Sequence, residues 1–144
     1  MLKEGNGNVK DRFYSSKDLQ DSTFVTDCKN YILFLHAISG CDTTSGFYGK
    51  GKIHAVKLFN RSEYLHDVPK IFNNPNSTSD DIERAGERFI IALYNSMKKE
   101  ENSLNKLRYV CFNKLVGQAS AAVVLSKLPP TTEAAHQHSR RTFY

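Results

Sequence analysis

From Asp80 onward, apolar side chains return at Ile82, Ala85, Phe89, Ile90, Leu93 and Met97, the three- and four-residue spacing that lines up one stripe of an α-helix. A stripe this regular has to be covered by other apolar elements. Asp80 followed by Glu83 supplies a capping-box pattern at its start. At 144 residues the chain suits one domain around one core and is too short for two.

Other segments offer the covering surfaces. The run Tyr31-Ile32-Leu33-Phe34-Leu35-His36-Ala37-Ile38 is almost unbroken in apolarity and stops at Gly40, so a buried helix is expected over 25–38, with Thr26 or Asp27 as its cap. Helical character resumes with Ile53, Ala55, Val56, Leu58 and Phe59, and again over 62–72, where Pro69 is expected to interrupt late. A linker of Asn, Pro and Ser follows over 73–79. Leu104, Leu107, Val110, Cys111 and Leu115 are expected on one helix face. The small apolar stretch 119–128 ends at Pro129-Pro130, and Thr131 or Thr132 can cap a last helix that carries Glu133 in its first turn. Residues 12–15 fit a short strand. The expected fold is mainly α, a bundle of five to seven helices with that short N-terminal strand. Residues 1–24 are expected to be irregular and 25–144 to form the helical domain.

Charge narrows the partners. Twenty Lys and Arg against 15 Asp and Glu give a net charge of +5, compatible with a polyanionic partner. The excess is uneven: residues 43–62 hold no acid but include Lys50, Lys52, Lys57 and Arg61, and residues 102–132 are likewise acid-free with Lys106, Arg108, Lys114 and Lys127. The second run reads equally well as a solvated helix face. Cys28, Cys41 and Cys111 have no metal-binding or disulfide spacing. No apolar run reaches the roughly 18 residues of a membrane span, so no membrane partner is expected. The chain is expected to be soluble and intracellular, with the nucleus as the compartment that a DNA partner implies.

The most informative loop is 39–51. Gly49-Lys50-Gly51 sits just before a helix; paired glycines let a ligand approach the backbone, and the exposed amides of a helix start favour an anion such as phosphate. Lys50, Lys52 and Lys57 add charge that strengthens phosphate binding without reading base sequence.

The pattern Gly40-Cys41-Asp42, six residues, Gly49-Lys50-Gly51, then Ala55 and Leu58 resembles the helix-two-turn-helix region of flap endonuclease and XPG-like nucleases. The resemblance implies that the chain is the C-terminal part of a PIN-like α/β parent, with its DNA-binding motif at 40–60. It makes Asp42 a ligand of catalytic Mg²⁺ and Gly49, Gly51 and Lys52 phosphate-binding residues, to which the charge of the same stretch adds Lys50 and Lys57 as DNA-binding residues. The family usually has an apolar residue where Lys50 stands and often a proline where Lys52 stands. Two-metal cleavage needs several carboxylates around ions about 4 Å apart, and Glu4, Asp11, Asp18, Asp21 and Asp27 are scattered, so the catalytic half is expected to be missing and this chain alone inactive. Nearly the whole chain also resembles uncharacterised open reading frames associated with mobile elements in animal genomes, through Gly-Cys-Asp-Thr-Thr-Ser, Leu128-Pro129-Pro130-Thr131 and the His- and Arg-rich end; that likeness transfers no activity.

Plainer roles stand beside these. Asp42 also suits a turn or helix cap, Cys41 a small buried residue, and His36 a core histidine. His136 and His138 point apart on a helix and, with Arg140 and Arg141, suggest a basic surface. Phe47 and Tyr48 fit core anchoring of the loop better than stacking on a base. The alternative function is a non-catalytic helical protein-interaction or structural domain.

Overall fold

The computed structural model describes residues 31–94, 103–118 and 124–143. It is mainly helical, as expected: α1 (Ile32–Ile38), α2 (Lys52–Arg61), α3 (Val68–Phe72), α4 (Ser79–Tyr94), α5 (Leu104–Gln118) and α6 (Thr132–Phe143). Single 3₁₀ turns occur at Glu63–Leu65 and Leu125–Lys127, and there is no strand among the described residues. No helix among them is long and apolar enough to cross a membrane. Residues 12–15 and Met97 lie outside the described residues.

The central helix is α4. Ile82, Ala85, Gly86, Phe89, Ile90, Ala92 and Leu93 are buried on it, and α1, α2 and α3 build the main core around it with Phe34, Leu35, Ile38, Ala55, Leu58, Phe59, Val68 and Phe72. Phe34 joins α1 to both neighbours, its ring centroid 4.9 Å from that of Phe72 and 5.3 Å from that of Phe89, within the range of favourable tilted and edge-on aromatic pairs.

The start of α4 differs from expectation by two residues. Thr78 is the cap: its Oγ1 accepts the Asp81 amide at 3.2 Å, and its own amide donates to Asp81 Oδ2 at 3.1 Å. The reciprocal bonds form a capping box with Asp in the place of Glu; the Thr78 hydroxyl, which also donates to Asp81 Oδ2 at 2.7 Å, and then the Thr78 amide hold the Asp81 carboxyl below its ordinary range. Glu83 is used elsewhere. Pro69 does not interrupt a helix but lies in the first turn of α3, where its missing N–H costs no hydrogen bond.

Opposite α4 packs α6, capped by Thr131, whose Oγ1 accepts the Ala134 amide at 3.2 Å. A Cβ added to Gly86 would lie 2.6 Å from Ser139 Cβ and 1.9 Å from its Oγ, so these helices meet where one of them has no side chain. Around that contact His136 Nδ1 lies 3.1 Å from Glu83 and Nε2 3.2 Å from Glu87, while Arg140 Nε donates to Glu83 at 2.6 Å. Glu87 also accepts the Leu104 amide at 3.2 Å, binding the start of α5 to the same network. His136 and His138 do point apart. The expected basic surface is nonetheless reduced, because Arg140 is paired and His138 is buried, its Nε2–H donating to Ile38 O at 2.9 Å.

Two other expectations fail on α1 and α5. Only Phe34, Leu35 and Ile38 are buried on α1, whereas Leu33 and His36 are exposed; a short helix at the edge of the bundle has one covered face, so His36 is not a core histidine. On α5 only Leu104 and Leu107 are buried. Cys111 and Leu115 are half-buried and Val110 is exposed, because α5 meets the body mainly through its first two turns.

Gly86→Ala is expected to destabilise the fold by about 1–2 kcal/mol, since overpacking costs about 1–3 and the helix propensity of Ala returns roughly 0.5–1. In a double-mutant cycle with Ser139→Gly, measured by urea unfolding, the pair should lose less than the sum of the singles; strict additivity would remove the close contact as the cause.

Burial lowers the His138 pKa from 6.5, followed in effect by the Ile38 bond, which opposes the shift, and the Arg141 charge, which reinforces it. Below about 6.5 the unfolded chain takes up a proton that folded His138 refuses, so stability present at neutral pH is lost as pH falls from 6.5 toward the lower folded value. His54, lowered by burial and by neighbouring cations, acts in the same direction. Melting temperature should fall from pH 7.5 to pH 5, less steeply in His138→Gln. An equal slope in the variant would contradict this assignment.

Candidate nucleic-acid interface

The loop between α1 and α2 is built in two stages, and its first stage is closed on itself. Gly40 has φ +105°, and a Cβ there would lie 2.5 Å from the Gly46 Cα, so two backbone segments touch at the neck of the loop. Inside the neck, buried Thr44 donates from Oγ1 to Ala37 O at 2.6 Å and accepts the Cys41 amide at 3.1 Å. Ser39 Oγ donates to Leu35 O at 2.6 Å. These hydroxyls satisfy backbone groups that the end of α1 leaves open.

Cys41 and Asp42 project from this closed segment. Cys41 is partly exposed rather than buried, since the buried position in the loop is taken by Thr44. Its Sγ lies 3.3 Å from the hydroxyls of Thr43 and Thr44, and bonds from Thr43 first, then Thr44, lower its pKa to about 7. Asp42 is exposed, and its carboxylate has no hydrogen-bond partner among the described residues, so it caps nothing there. No group of three or more His, Cys, Asp or Glu among those residues is arranged to hold a metal ion. Asp42 therefore has no companion carboxylates there of the kind two-metal chemistry uses.

The second stage opens outward. Lys50 N donates to Phe47 O at 3.0 Å, closing a turn whose third residue, Gly49, has φ +68°, the conformation that favours glycine at this position. Phe47 anchors the turn as expected, its ring 6.1 Å from Tyr94 and 4.7 Å from His138; Tyr48 is exposed instead. Gly51 is the N-cap of α2, with φ −74° and ψ −176°, and accepts the His54 and Ala55 amides at 2.9 and 3.1 Å. No side chain caps this helix and no acid lies in its first turn. Within the described residues the Gly51, Lys52 and Ile53 amides have no protein acceptor, and a Cβ on Gly49 or Gly51 would meet nothing within 4 Å.

The lysines are arranged less simply than their spacing suggests. Lys52 Nζ donates to Gly40 O at 2.9 Å, fastening the open stage to the closed one. Lys50 Nζ lies 5.5 Å from the centroid of the Tyr94 ring, a cation–π contact. Lys57 and Arg61 are exposed on the outer side of α2, opposite buried Ala55, Val56, Leu58 and Phe59. Positive charge is concentrated here: after burial, the charges of Lys50, Arg61 and Lys57 all lower the pKa of His54. Gly49, Lys50, Gly51, Lys52 and Lys57 thus share one turn and the helix it starts, while Asp42 belongs to the closed segment. Sequence reasoning missed Thr44 and Tyr94. Thr44 sits in a run of hydroxylated residues with nothing to single it out, and Tyr94 lies in a different helix.

A shallow groove of about 620 Å³ between α3 and α4 is lined by none of these residues; of its three cations, Lys70, Arg84 and Arg88, the two arginines are paired with Asp80 and Asp67. No family model, curated protein or solved structure matches the chain.

Alkylation of Cys41, followed by peptide mass spectrometry, should show a midpoint near pH 7, whereas Cys111, whose thiol burial pushes upward, reacts only at higher pH. Thr43→Val, at an exposed position, should move the Cys41 midpoint upward; an unchanged midpoint would exclude the Thr43 hydroxyl as the cause.

Proposed function

We propose that Gly49–Arg61 is a docking site for the phosphate backbone of DNA, indifferent to base sequence, in the manner of the helix-two-turn-helix segment of flap-endonuclease-like proteins. The observation that carries this reading is the uncapped start of α2, where the Gly51, Lys52 and Ile53 amides have no protein acceptor among the described residues. A phosphate oxygen can accept those amides and gains from the helix dipole. Lys57 and Arg61, on the exposed side of the same acid-free helix, can then follow the backbone to neighbouring phosphates and release counterions.

In this reading the segment positions DNA and does not cut it. Cleavage would belong to a longer protein whose carboxylates hold Mg²⁺, with Asp42 the one ligand supplied from the described loop.

Gly51→Asp separates binding from folding. The extended cap geometry and open space at this position suit an aspartate, so the variant should melt at the same temperature or higher. Its carboxylate occupies the amides and repels phosphate, and affinity for a short duplex, read by fluorescence anisotropy, should fall at least about tenfold. Lys57→Glu should lower the slope of log affinity against log salt by about 1. If Gly51→Asp bound the duplex as tightly as the parent chain, α2 would not be the interface.

A further inference from the structure

Helix α5 carries two apolar stripes and buries only one. Leu104, Leu107 and Cys111 face the body. Tyr109, Phe112 and Val116, spaced i, i+3 and i+7 on a different side, are 66%, 40% and 49% exposed. Side chains at that spacing stand above one another over about two turns, the form in which one helix seats another. A helix that is apolar on more than one side is ordinarily covered on more than one side.

We propose that this second stripe docks a protein partner presenting an apolar helix face bordered by acidic side chains. The acid comes from charge complementarity: residues 102–132 contain no Asp or Glu, and the helical spacing puts Lys106 and Arg108 on the two borders of the stripe, Arg108 also donating to Pro129 O. A lipid surface fits less well, because an interfacial helix needs one apolar face opposed by a polar one, whereas α5 sets its two stripes apart and interrupts its polar positions with Tyr109 and Val116. A second copy of the chain also fits less well. Its own α5 is equally basic, and many of its acids are engaged, Glu83 and Glu87 by α6, Asp80 by Arg84 and Asp67 by Arg88. The inference is independent of DNA binding, which uses α2.

The test uses a labelled synthetic helical peptide with Leu at i, i+3 and i+7 and Glu on both flanks, titrated with the 144-residue chain and read by anisotropy. Saturable binding is expected, weakened at least about tenfold when the flanking Glu are replaced by Lys and when the chain carries Phe112→Asp or Val116→Asp. Both positions are exposed, and an unchanged melting curve confirms that the variants fold. Lys57→Glu should leave peptide binding unchanged, which separates this surface from the anion site on α2. Absence of saturable binding overturns the proposal, as does equal binding of the Lys-flanked peptide or insensitivity to both stripe variants. It is likewise overturned by a stripe-dependent association with phosphatidylserine vesicles in place of the peptide, or by a dimer in sedimentation that Phe112→Asp disperses.

Discussion

The contact between Gly86 and Ser139 decides how close α6 comes to α4, and most of what surrounds the loop follows from that distance. With a side chain at Gly86 the added Cβ would occupy the space of the Ser139 side chain. Without one, the helices approach until His136 bridges Glu83 and Glu87, and until His138, on the same inward face as Ala135 and Ser139, reaches Ile38 O. Phe47 then lies against His138 and Tyr94. The turn that begins α2, closed by its own Lys50–Phe47 bond and by Gly49, is thereby also seated on two helices distant in sequence.

The same packing distributes the charge. The acids of α4 are engaged by α6 and within α4 itself, Glu83 taking Arg140 and His136, Glu87 sharing His136 and Asp80 taking Arg84, while Arg88 of α4 takes Asp67 at the start of α3. Helix α2 has no acid of its own, and the cations near His54 reinforce one another. Arg140 and Arg141, which in the sequence suggest a further basic surface, contribute less of it than their number implies, because Arg140 is paired with Glu83 and a neutralised cation attracts a polyanion less than an exposed one on an acid-free face.

The parts legible in the sequence are those where apolar spacing decides the outcome. The stripe of α4, the inward residues of α2 and the loop between Gly40 and Gly51 are where the residue pattern puts them. The inward face of α6 is not legible, because Ala135, His138 and Ser139 form it, and two of these three are polar residues that periodicity assigns to solvent. Nor is the extent of the buried face of α5: Val110 and Leu107 look equivalent until the body is seen to cover only the first turns. The cap of α4 was misplaced because Asp80 and Glu83 satisfy the same spacing as Thr78 and Asp81, and only packing, which commits Glu83 to α6, distinguishes them. For the site, Gly49, Gly51 and Lys57 stand where the pattern suggests, but the attachment of Lys52 to Gly40 O is a tertiary bond with no local signal.

Four glycines make the loop, and they do not have the same reason to be there. Gly40 is required by the approach of the Gly46 backbone, and Gly49 by its positive φ; folding alone accounts for both. Gly51 is different. Its backbone angles are open to any residue and the space beside it is empty. For helix stability alone, Ser, Asn or Asp would serve at an N-cap at least as well, by bonding the amides of the first turn. Glycine is the residue that keeps the helix start intact while leaving those amides without a side-chain acceptor and the approach to them unobstructed. The feature that folding does not explain is thus the one an anionic ligand would use, and it is on Gly51, more than on the total charge or the motif spacing, that the DNA-binding reading rests.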